Sequence, residues 1–393
     1  MKQQRIFKQV FYTVGPIILS LVITAVLIMA VGADPREVLE STWEGVFRNS
    51  KSFAGAVNFW IPLALASIGL VVTFRAGLWN IGIEGQMMVG AIFASWAALF
   101  IRLLPPAPVI SPLTPFDADF ALALMGRAAY LSTDVISVLH VLLQLGLAML
   151  GGMLWALLVG VLKVKLGIHE IFGGVALNAL ANVWTIFLIS GPWAPPSGGT
   201  AQATDPFPPI TLLPEYSPDF PVNLLLLIIV FVASIGIWLA LRGTRWGLQL
   251  KATGHNPRSA LLLGVPTDRV ALSAFVVCGA LAGLGGAYRV LFTFDSLRPL
   301  ASGGIGFLGL LVVLLVQFRP LWVPLISFAF AAILAGSTRL KIKLDLDSSL
   351  AGVLQGILVL TVLLFSGLGG ESEELAPDMT GDEAQTPPSE TAS

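Results

Sequence analysis

Charged residues are scarce in this 393-residue chain. Asp, Glu, Lys and Arg together make up only 11% of it, against roughly 25% in soluble domains, whereas 56% of the residues are hydrophobic. The mean hydropathy is +0.86. This balance excludes an ordinary soluble domain and predicts an all-α, polytopic integral membrane protein. The formal net charge of −1 also argues against nucleic acid as a partner, because nucleic-acid binding needs a basic surface.

Catalytic and redox signatures are missing as well. The single cysteine, Cys278, lies in an apolar run, where it can form no intramolecular disulfide and is expected to be a buried thiol. The chain contains no G-x-x-x-x-G-K-[ST] phosphate loop, no H-E-x-x-H motif and no G-x-S-x-G motif. We therefore expect no catalytic residue, no metal site and no cofactor, and we expect any ATP hydrolysis to belong to partner chains.

Ten apolar segments are candidates to cross a bilayer, which takes about 20 helical residues. They comprise residues 10–32, 59–74, 86–101, 136–162, 172–190, 222–241, 270–293, 304–318, 320–336 and 349–367. The segments 304–318 and 320–336 are short and nearly contiguous, so they can instead form one broken or re-entrant unit. The prediction is thus about ten transmembrane helices, with a range of eight to ten.

The first segment resembles a secretory signal because Lys2, Arg5 and Lys8 precede it. Its length exceeds the 7–15 residues of a typical signal-peptide core, so we expect an uncleaved span, with cleavage near residues 30–33 as the alternative. Residues 1–9 are then a cytoplasmic N terminus, followed by a membrane domain at 10–368.

Basic residues predict the orientation of the spans, because they favour cytoplasmic loops. A cytoplasmic N terminus places Arg75, Lys163, Lys165 and the basic loop 242–269 inside. The proline-rich insert 102–133 and the proline-rich loop 191–221 are then external. We expect the insert to be too rich in proline for a long helix, and the loop to be a rigid cap or a rim that contacts a delivery protein. The acidic tail, 369–393, is expected to be a disordered cytoplasmic extension.

The most informative stretch is FRAGLWNIGIEGQ at residues 74–86, which carries polar groups and three glycines between two apolar runs. Unpaired polar groups are costly in lipid, so this stretch should line a path enclosed by protein. We expect Glu84 to anchor a broken helix, with Arg75 close enough in sequence to be its partner. Trp79, Asn80 and Gln86 are better candidates to touch a solute.

The stretch 74–86 resembles the signature of permease subunits of nucleoside-type ABC importers, in the superfamily that also holds the ribose and branched-chain amino acid permeases. Further stretches carry the resemblance. GIHEIFGGVALNALAN at 167–182 is similar to the family pattern N-E-V-x-x-T-x-M-L-N-Y, with His169 and Ala176 as departures. GALAGLGGA at 279–287 is similar to S-G-x-L-A-G-L-A-G-A, and its glycines at 279 and 283 independently form a G-x-x-x-G face for close helix packing.

Asn178 and Asn182 project from one helix face because they are four residues apart. Two such amides can join helices, or they can contact a polar solute. His169 and Glu170 form an interfacial pair at the end of the same span. The candidate path residues are therefore Trp79, Asn80, Glu84, Gln86, Asn178 and Asn182. Glycines at 303–309 open a second interrupted segment, which points to a midplane path in the two halves or to glycine-mediated packing.

The loop 242–269 is predicted to carry a short helix, with Asn256 as its N-cap, Pro257 at its first position and Gly264 at its end. RGTRWG at 242–247 and GHNPRSALLLG at 254–264 resemble the loop T-x-x-G … A-x-G-x-N-P-x-A-A-x-x-x-G of the same permeases, with Ser259 in place of Ala. In that family the loop contacts the ATPase subunits. The candidate coupling residues are Gly254, His255, Asn256, Pro257, Arg258, Ala260 and Gly264.

The resemblance implies a permease subunit that carries a nucleoside across the inner membrane and couples this transport to ATP hydrolysis by partners. The implied partners are two ABC ATPase subunits, a second permease subunit in a heterodimer, an external solute-binding lipoprotein or periplasmic protein, and the lipid bilayer. The alternative solute is ribose or another simple sugar. An ATP-independent channel or secondary transporter is the alternative of a different class, and a membrane scaffold is a third.

Overall fold

A computed structural model describes residues 18–101, 118–195, 202–344, 352–353, 355–362 and 364. The chain divides into two compact units. One unit consists of Met1–Pro35 and Gly352–Ser393, and its described part contains helix α1 (Ile18–Ala30) and a helical stretch at 355–362. The other unit is Arg36–Ala351. The predicted acidic tail, the N terminus 1–9 and the insert residues 102–117 lie outside the described residues.

The unit Arg36–Ala351 is built from helices, and no named strand occurs in the ranges given above, so the predicted all-α class is confirmed. Its helices are α2 (Pro35–Phe47), α3 (Ser50–Arg75), α4 (Ile83–Phe100), α5 (Ala118–Leu166), α6 (Glu170–Ser190), α7 (Leu224–Gly243), α8 (Arg245–His255), α9 (Pro257–Leu262), α10 (Thr267–Tyr288), α11 (Ile305–Leu315) and α12 (Val323–Leu344). A π-helical turn, Arg289–Thr293, extends α10.

Seven described helical segments are long and apolar enough to span a membrane, or eight if α1 and α2 together form one span. They correspond to seven of the ten predicted segments, from 59–74 to 270–293 and at 320–336. The predicted independent span at 304–318 is wrong, because α11 has only 11 residues and covers about 16 Å of a hydrocarbon core about 30 Å thick. The alternative, a broken or re-entrant unit, fits this short helix.

Helices α3, α4 and α10 form the interior of the unit. Their apolar windows are 89%, 78% and 72% buried, whereas those of α6 and α7 are only 33% and 22% buried. The small residues of α10 permit this packing. A Cβ on Gly283 would lie 2.1 Å from the Ala148 carbonyl oxygen of α5, and one on Gly279 would lie 2.3 Å from that of Gly152. The predicted close packing through G-x-x-x-G is confirmed.

The two proline-rich segments have different structures. The last proline of the insert 102–133 is Pro115, and α5 begins at Ala118. The second half of the insert is therefore helical, and the expectation that prolines prevent a long helix is wrong for residues 118–133. The described part of the loop 191–221 packs along the chain that follows α10, where the amide of Phe207 donates to the Asp295 carbonyl at 2.8 Å.

Candidate functional site: two helix breaks and a basic loop

The predicted polar stretch is a break between α3 and α4. The chain leaves α3 after Arg75 and turns at Gly77, whose φ of +73° is readily adopted only by glycine. The side-chain amides of Asn80 and Gln86 then donate to each other at 3.2 and 2.9 Å, and both side chains are fully buried. Asn80 also donates to the Cys278 sulfur at 3.1 Å. Because Cys278 lies about halfway along α10, the break reaches into the interior of the helical unit.

Asn178 of α6 holds the same break from the other side. Its oxygen accepts from the Gly85 amide at 2.7 Å, and its nitrogen donates to the Ile81 carbonyl at 2.9 Å. Gly174, one turn earlier on α6, approaches so closely that a Cβ on it would lie 2.6 Å from the Gly82 nitrogen. Of the two roles weighed for Asn178, joining helices is the one that the contacts support.

A second break follows α10. Asp295 and Leu300 have positive φ values of 54° and 52°, and Gly303 and Gly304 have values of 64° and 77°. The amide nitrogen of Leu300 donates to the Asn182 oxygen at 3.0 Å, so each predicted asparagine of α6 contacts one of the breaks. Helix α11 begins at the end of this segment.

Glu84 connects the two breaks. Its Oε1 accepts from the amides of Gly306 at 2.6 Å and Phe307 at 3.2 Å, which are in the first turn of α11. A carboxylate in this position satisfies free N–H groups and interacts favourably with the helix dipole. Glu84 is 6% exposed, so water cannot replace these contacts. The expected role of Glu84 as the anchor of a broken helix therefore agrees with the geometry, although the helix it caps is α11.

Arg289 is a functional candidate that the sequence reasoning missed. It is 6% exposed, its Nε donates to the Ala301 carbonyl at 3.1 Å, and its guanidinium lies 4.4 Å from the Phe294 ring centroid. Its charge also interacts with Glu84. A basic residue inside the predicted span 270–293 was the available signal, because charges within spans are rare. Arg75, proposed from its proximity in sequence, instead donates from Nε to the Phe318 carbonyl at 3.1 Å.

Trp79 is the one candidate path residue with a largely exposed side chain, at 44%. Its ring packs edge-on to Phe74 at 5.0 Å, and its backbone amide lies 3.5 Å from Glu170 Oε1. The buried Glu170 carboxylate is in turn 2.6 Å from Lys163 Nζ. His169 lies farther from it, at 3.7 Å. The main ion pair at this end of α6 is thus with Lys163 and not with the expected His169.

The basic loop contains helices α8 and α9. Asn256 is the N-cap of α9, its Oδ1 accepts from the Ser259 amide at 3.0 Å, and Pro257 occupies the first turn. Gly264 follows the helix with a φ of +81°. The predicted short, capped helix is confirmed. Ala260 is the buried residue of this helix.

Three consecutive leucines at the end of this short helix lie at the surface. Leu261, Leu262 and Leu263 are 61%, 89% and 83% exposed. His255 and Arg258 are also exposed. The three leucines form a small exposed apolar patch beside the positive charge of Arg258. Such a patch is suited to bind in a cleft of another protein.

Gly254, at the end of α8, lies directly against the first break. A Cβ on Gly254 would be 2.3 Å from the Arg75 carbonyl oxygen and 3.0 Å from the Gly77 nitrogen. A Cβ on Gly77 would be 3.1 Å from the Gly254 Cα. The backbones of the basic loop and of the break are therefore in contact, so a movement of either one must displace the other.

Comparison with known proteins finds one matching family model, described as branched-chain amino acid transport system / permease component, over residues 52–363. A guanosine ABC transporter permease protein of Bacillus subtilis is 25% identical over 88% of this chain and 90% of its own length. A glucose ABC transporter permease protein of Haloferax volcanii is 23% identical over 94% and 90%. A nucleoside ABC transporter permease protein of Lactococcus lactis is 23% identical over 82% of each chain. No solved structure matches with statistical significance.

Proposed function

Since this chain belongs to the family of permease components of branched-chain amino acid transport systems, we propose that it forms the path for a nucleoside in an ABC importer. In this proposal it pairs with a second permease subunit, two ATPase subunits dock on the cytoplasmic side, and an external binding lipoprotein or periplasmic protein delivers the solute. The chain contributes the path and the coupling surface, and ATP is hydrolysed on the partner chains. Membership of this family argues against the ATP-independent channel or secondary transporter.

The observation that carries the proposal is the contact between Gly254 and Gly77. It connects the loop that would receive force from an ATPase to the break that would border the path. The backbones meet without intervening side chains, and a Cβ at either position would be within about 3 Å of the other segment. Such contacts transmit displacement because packed interiors are hardly compressible.

Helix α9 supplies the docking surface in this proposal. Leu261, Leu262 and Leu263 would enter a hydrophobic cleft of the ATPase, and Arg258 would lie at its rim. When the two ATPase subunits close on ATP, the α9 helices of the two permeases would move together. Through Gly254 this motion would reach Gly77 and Asn80 in the first break and then Glu84 in the first turn of α4. It would switch the path from inward-open to outward-open.

The six candidate path residues have different roles in this proposal. Asn80, Gln86 and Asn178 are bonded within the protein and hold the first break in its present form, while Asn182 and Glu84 hold the second. Trp79 can stack on a planar ring because, of the six candidate residues, it is the one whose side chain is largely exposed. A nucleobase has such a ring, so we assign solute contact to Trp79 and gating to the others.

Two observations bear on the solute. The relatives named for guanosine and nucleosides match most of this chain, and the glucose permease of Haloferax volcanii matches a similar share at similar identity. We propose a nucleoside because an exposed tryptophan fits a nucleobase. A simple sugar such as ribose is the second candidate, supported by the glucose relative.

The test is uptake of labelled purine and pyrimidine nucleosides in cells with and without this chain and its partner ATPase. We expect uptake to be lost in both deletions, and excess unlabelled ribose not to compete. Lost sugar uptake with unchanged nucleoside uptake would move the chain to sugar transport. Uptake that survives without the ATPase would contradict the importer.

A further inference from the structure

A basic cavity lies at the end of α3 that the distribution of charge assigns to the cytoplasm. Its volume is about 310 Å³. Arg75 of α3, Arg242 of α7, Lys251 of α8 and Arg319 line it, together with Trp238 and Trp322. Arg242 and Lys251 belong to the basic loop 242–269, and none of the six candidate path residues lines the cavity.

The four cations have no acidic partner in the described part of the chain. The ion pairs Lys163–Glu170, His169–Glu170 and Lys343–Glu44 include none of them. Arg75 and Arg319 are close enough for their charges to repel each other. A cavity with four positive charges and no negative one is a site for an anion, because an anion would relieve this repulsion.

The geometry around the cations is constrained. Gln317 and Phe318 both have positive φ values, 50° and 60°, which are unfavourable for residues other than glycine. The Phe318 carbonyl accepts from Arg75 Nε at 3.1 Å, and its ring stacks on Phe74 at 5.3 Å. This strained turn precedes Arg319 and fixes where its backbone enters the cavity. Strained backbone of this kind is typical of ligand sites.

The surroundings of the cavity are those of a membrane–water interface. Trp322 and Leu321 are both 53% exposed, and the guanidinium of Arg242 lies 5.3 Å from the ring centroid of Trp238. Helix α7, which supplies Trp238, has the least buried apolar window of the seven candidate spans. Tryptophan is enriched at the level of lipid headgroups, and basic pockets between helices at this level bind anionic headgroups.

We propose that this cavity binds the phosphate of an anionic phospholipid from the cytoplasmic leaflet, with the acyl chains lying along α7. The phosphate would contact Arg75, Arg242, Lys251 and Arg319 at once. It would thereby join the ends of α3 and α7, the middle of α8 and the turn before α12. Because Lys251 precedes Gly254 by about one helical turn, the bound lipid would also stabilise the position of the basic loop.

The test uses the full transporter complex, stripped of lipid in detergent, with phosphatidylglycerol as the probe and native mass spectrometry as the readout. The variant Arg242→Gln/Arg319→Gln removes two charges from exposed side chains. We expect its affinity for phosphatidylglycerol to fall about 30-fold, the effect of two basic residues near a charged headgroup. Binding of phosphatidylcholine should stay unchanged.

The matched control is Arg48→Gln/Lys51→Gln, which removes two exposed charges near the other end of α3 and should bind phosphatidylglycerol like the wild type. Lys251→Gln alone should give a smaller loss, so the proposal stays testable if the double variant assembles poorly. Equal lipid binding by the cavity variants and the control would overturn the proposal. So would displacement of the lipid by millimolar glycerol phosphate, which would mark a site for soluble anions. Loss of the ATPase subunits with lipid retained would assign the cavity to a protein partner.

Discussion

At the scale of single residues, the Glu84 carboxylate joins segments that are 222 positions apart in the sequence. It accepts hydrogen bonds from two backbone amides of α11, and its charge interacts with that of Arg289. Glu84 is buried, so these contacts are shielded from water. We predict that Glu84→Ala destabilises the protein by about 3 kcal/mol, because it leaves two buried amide donors of α11 without their charged acceptor. Glu84→Gln, which keeps an acceptor oxygen, should lose less.

The measurement is the unfolding temperature of the purified protein in detergent. Glu37→Ala, which removes an exposed carboxylate from the first turn of α2, is the control and should change stability little. If Glu84→Ala unfolds at the wild-type temperature, the carboxylate does not hold the two breaks together.

Replacement of Trp79 should affect transport and not stability. Because 44% of its side chain is exposed, Trp79→Ala should leave stability nearly unchanged and raise the KM for nucleoside uptake. Loss of a base–aromatic stack costs about 1–3 kcal/mol, so we expect an increase of about tenfold. Trp79→Phe should restore most of the affinity. A lower protein level with an unaltered KM would show that the indole only packs.

At the scale of helices and loops, the contact between α8 and the first break requires glycine. Gly254→Ala would place a methyl group against the Arg75 carbonyl and force the segments apart. We expect the variant complex to hydrolyse ATP but to lose uptake about tenfold or more, a typical size for coupling between two sites. Gly243→Ala, near the end of α7, is the control, because its Cβ would meet nothing within 4 Å. Equal uptake by both variants would remove this contact from the coupling route.

The local features of these elements were predictable from the sequence. Asn256, Pro257 and Gly264 determine the short helix α9 through caps and turns that involve only their neighbours. The G-x-x-x-G spacing at 279 and 283 gave the close packing of α10 because small residues remove the obstacle to it.

Pairing between distant segments was not predictable. Spacing shows which helix face Asn178 occupies but not that this face lies against Gly85. Arg75 was proposed as the partner of Glu84 because it is near in sequence, whereas the hydrogen-bond donors to Glu84 lie in α11 and the charge that interacts with it is that of Arg289. Asn80 and Gln86 were interpreted as solute contacts because amides suit a ring that bears hydroxyls and ring nitrogens, but in the structure each amide bonds to the other.

At the scale of the whole molecule, the described part of Arg36–Ala351 is a helical unit in which two breaks meet through Glu84 and the basic loop 242–269 touches one of them. In the proposed function, transport therefore depends on a surface remote from the solute. Leu262 and Leu263 are the most exposed parts of that surface. Their replacement should separate ATP hydrolysis from transport without disturbing the membrane part.

The measurement that tests the central claim most directly follows nucleoside uptake and ATP hydrolysis together in vesicles that contain the complete transporter. We predict that Leu262→Gln/Leu263→Gln abolishes uptake stimulated by ATP, while ATP hydrolysis persists or falls and the protein inserts normally. Leu248→Gln, an exposed leucine of α8, is the matched control and should transport like the wild type. Uptake and hydrolysis that remain coupled in the double variant would contradict the account.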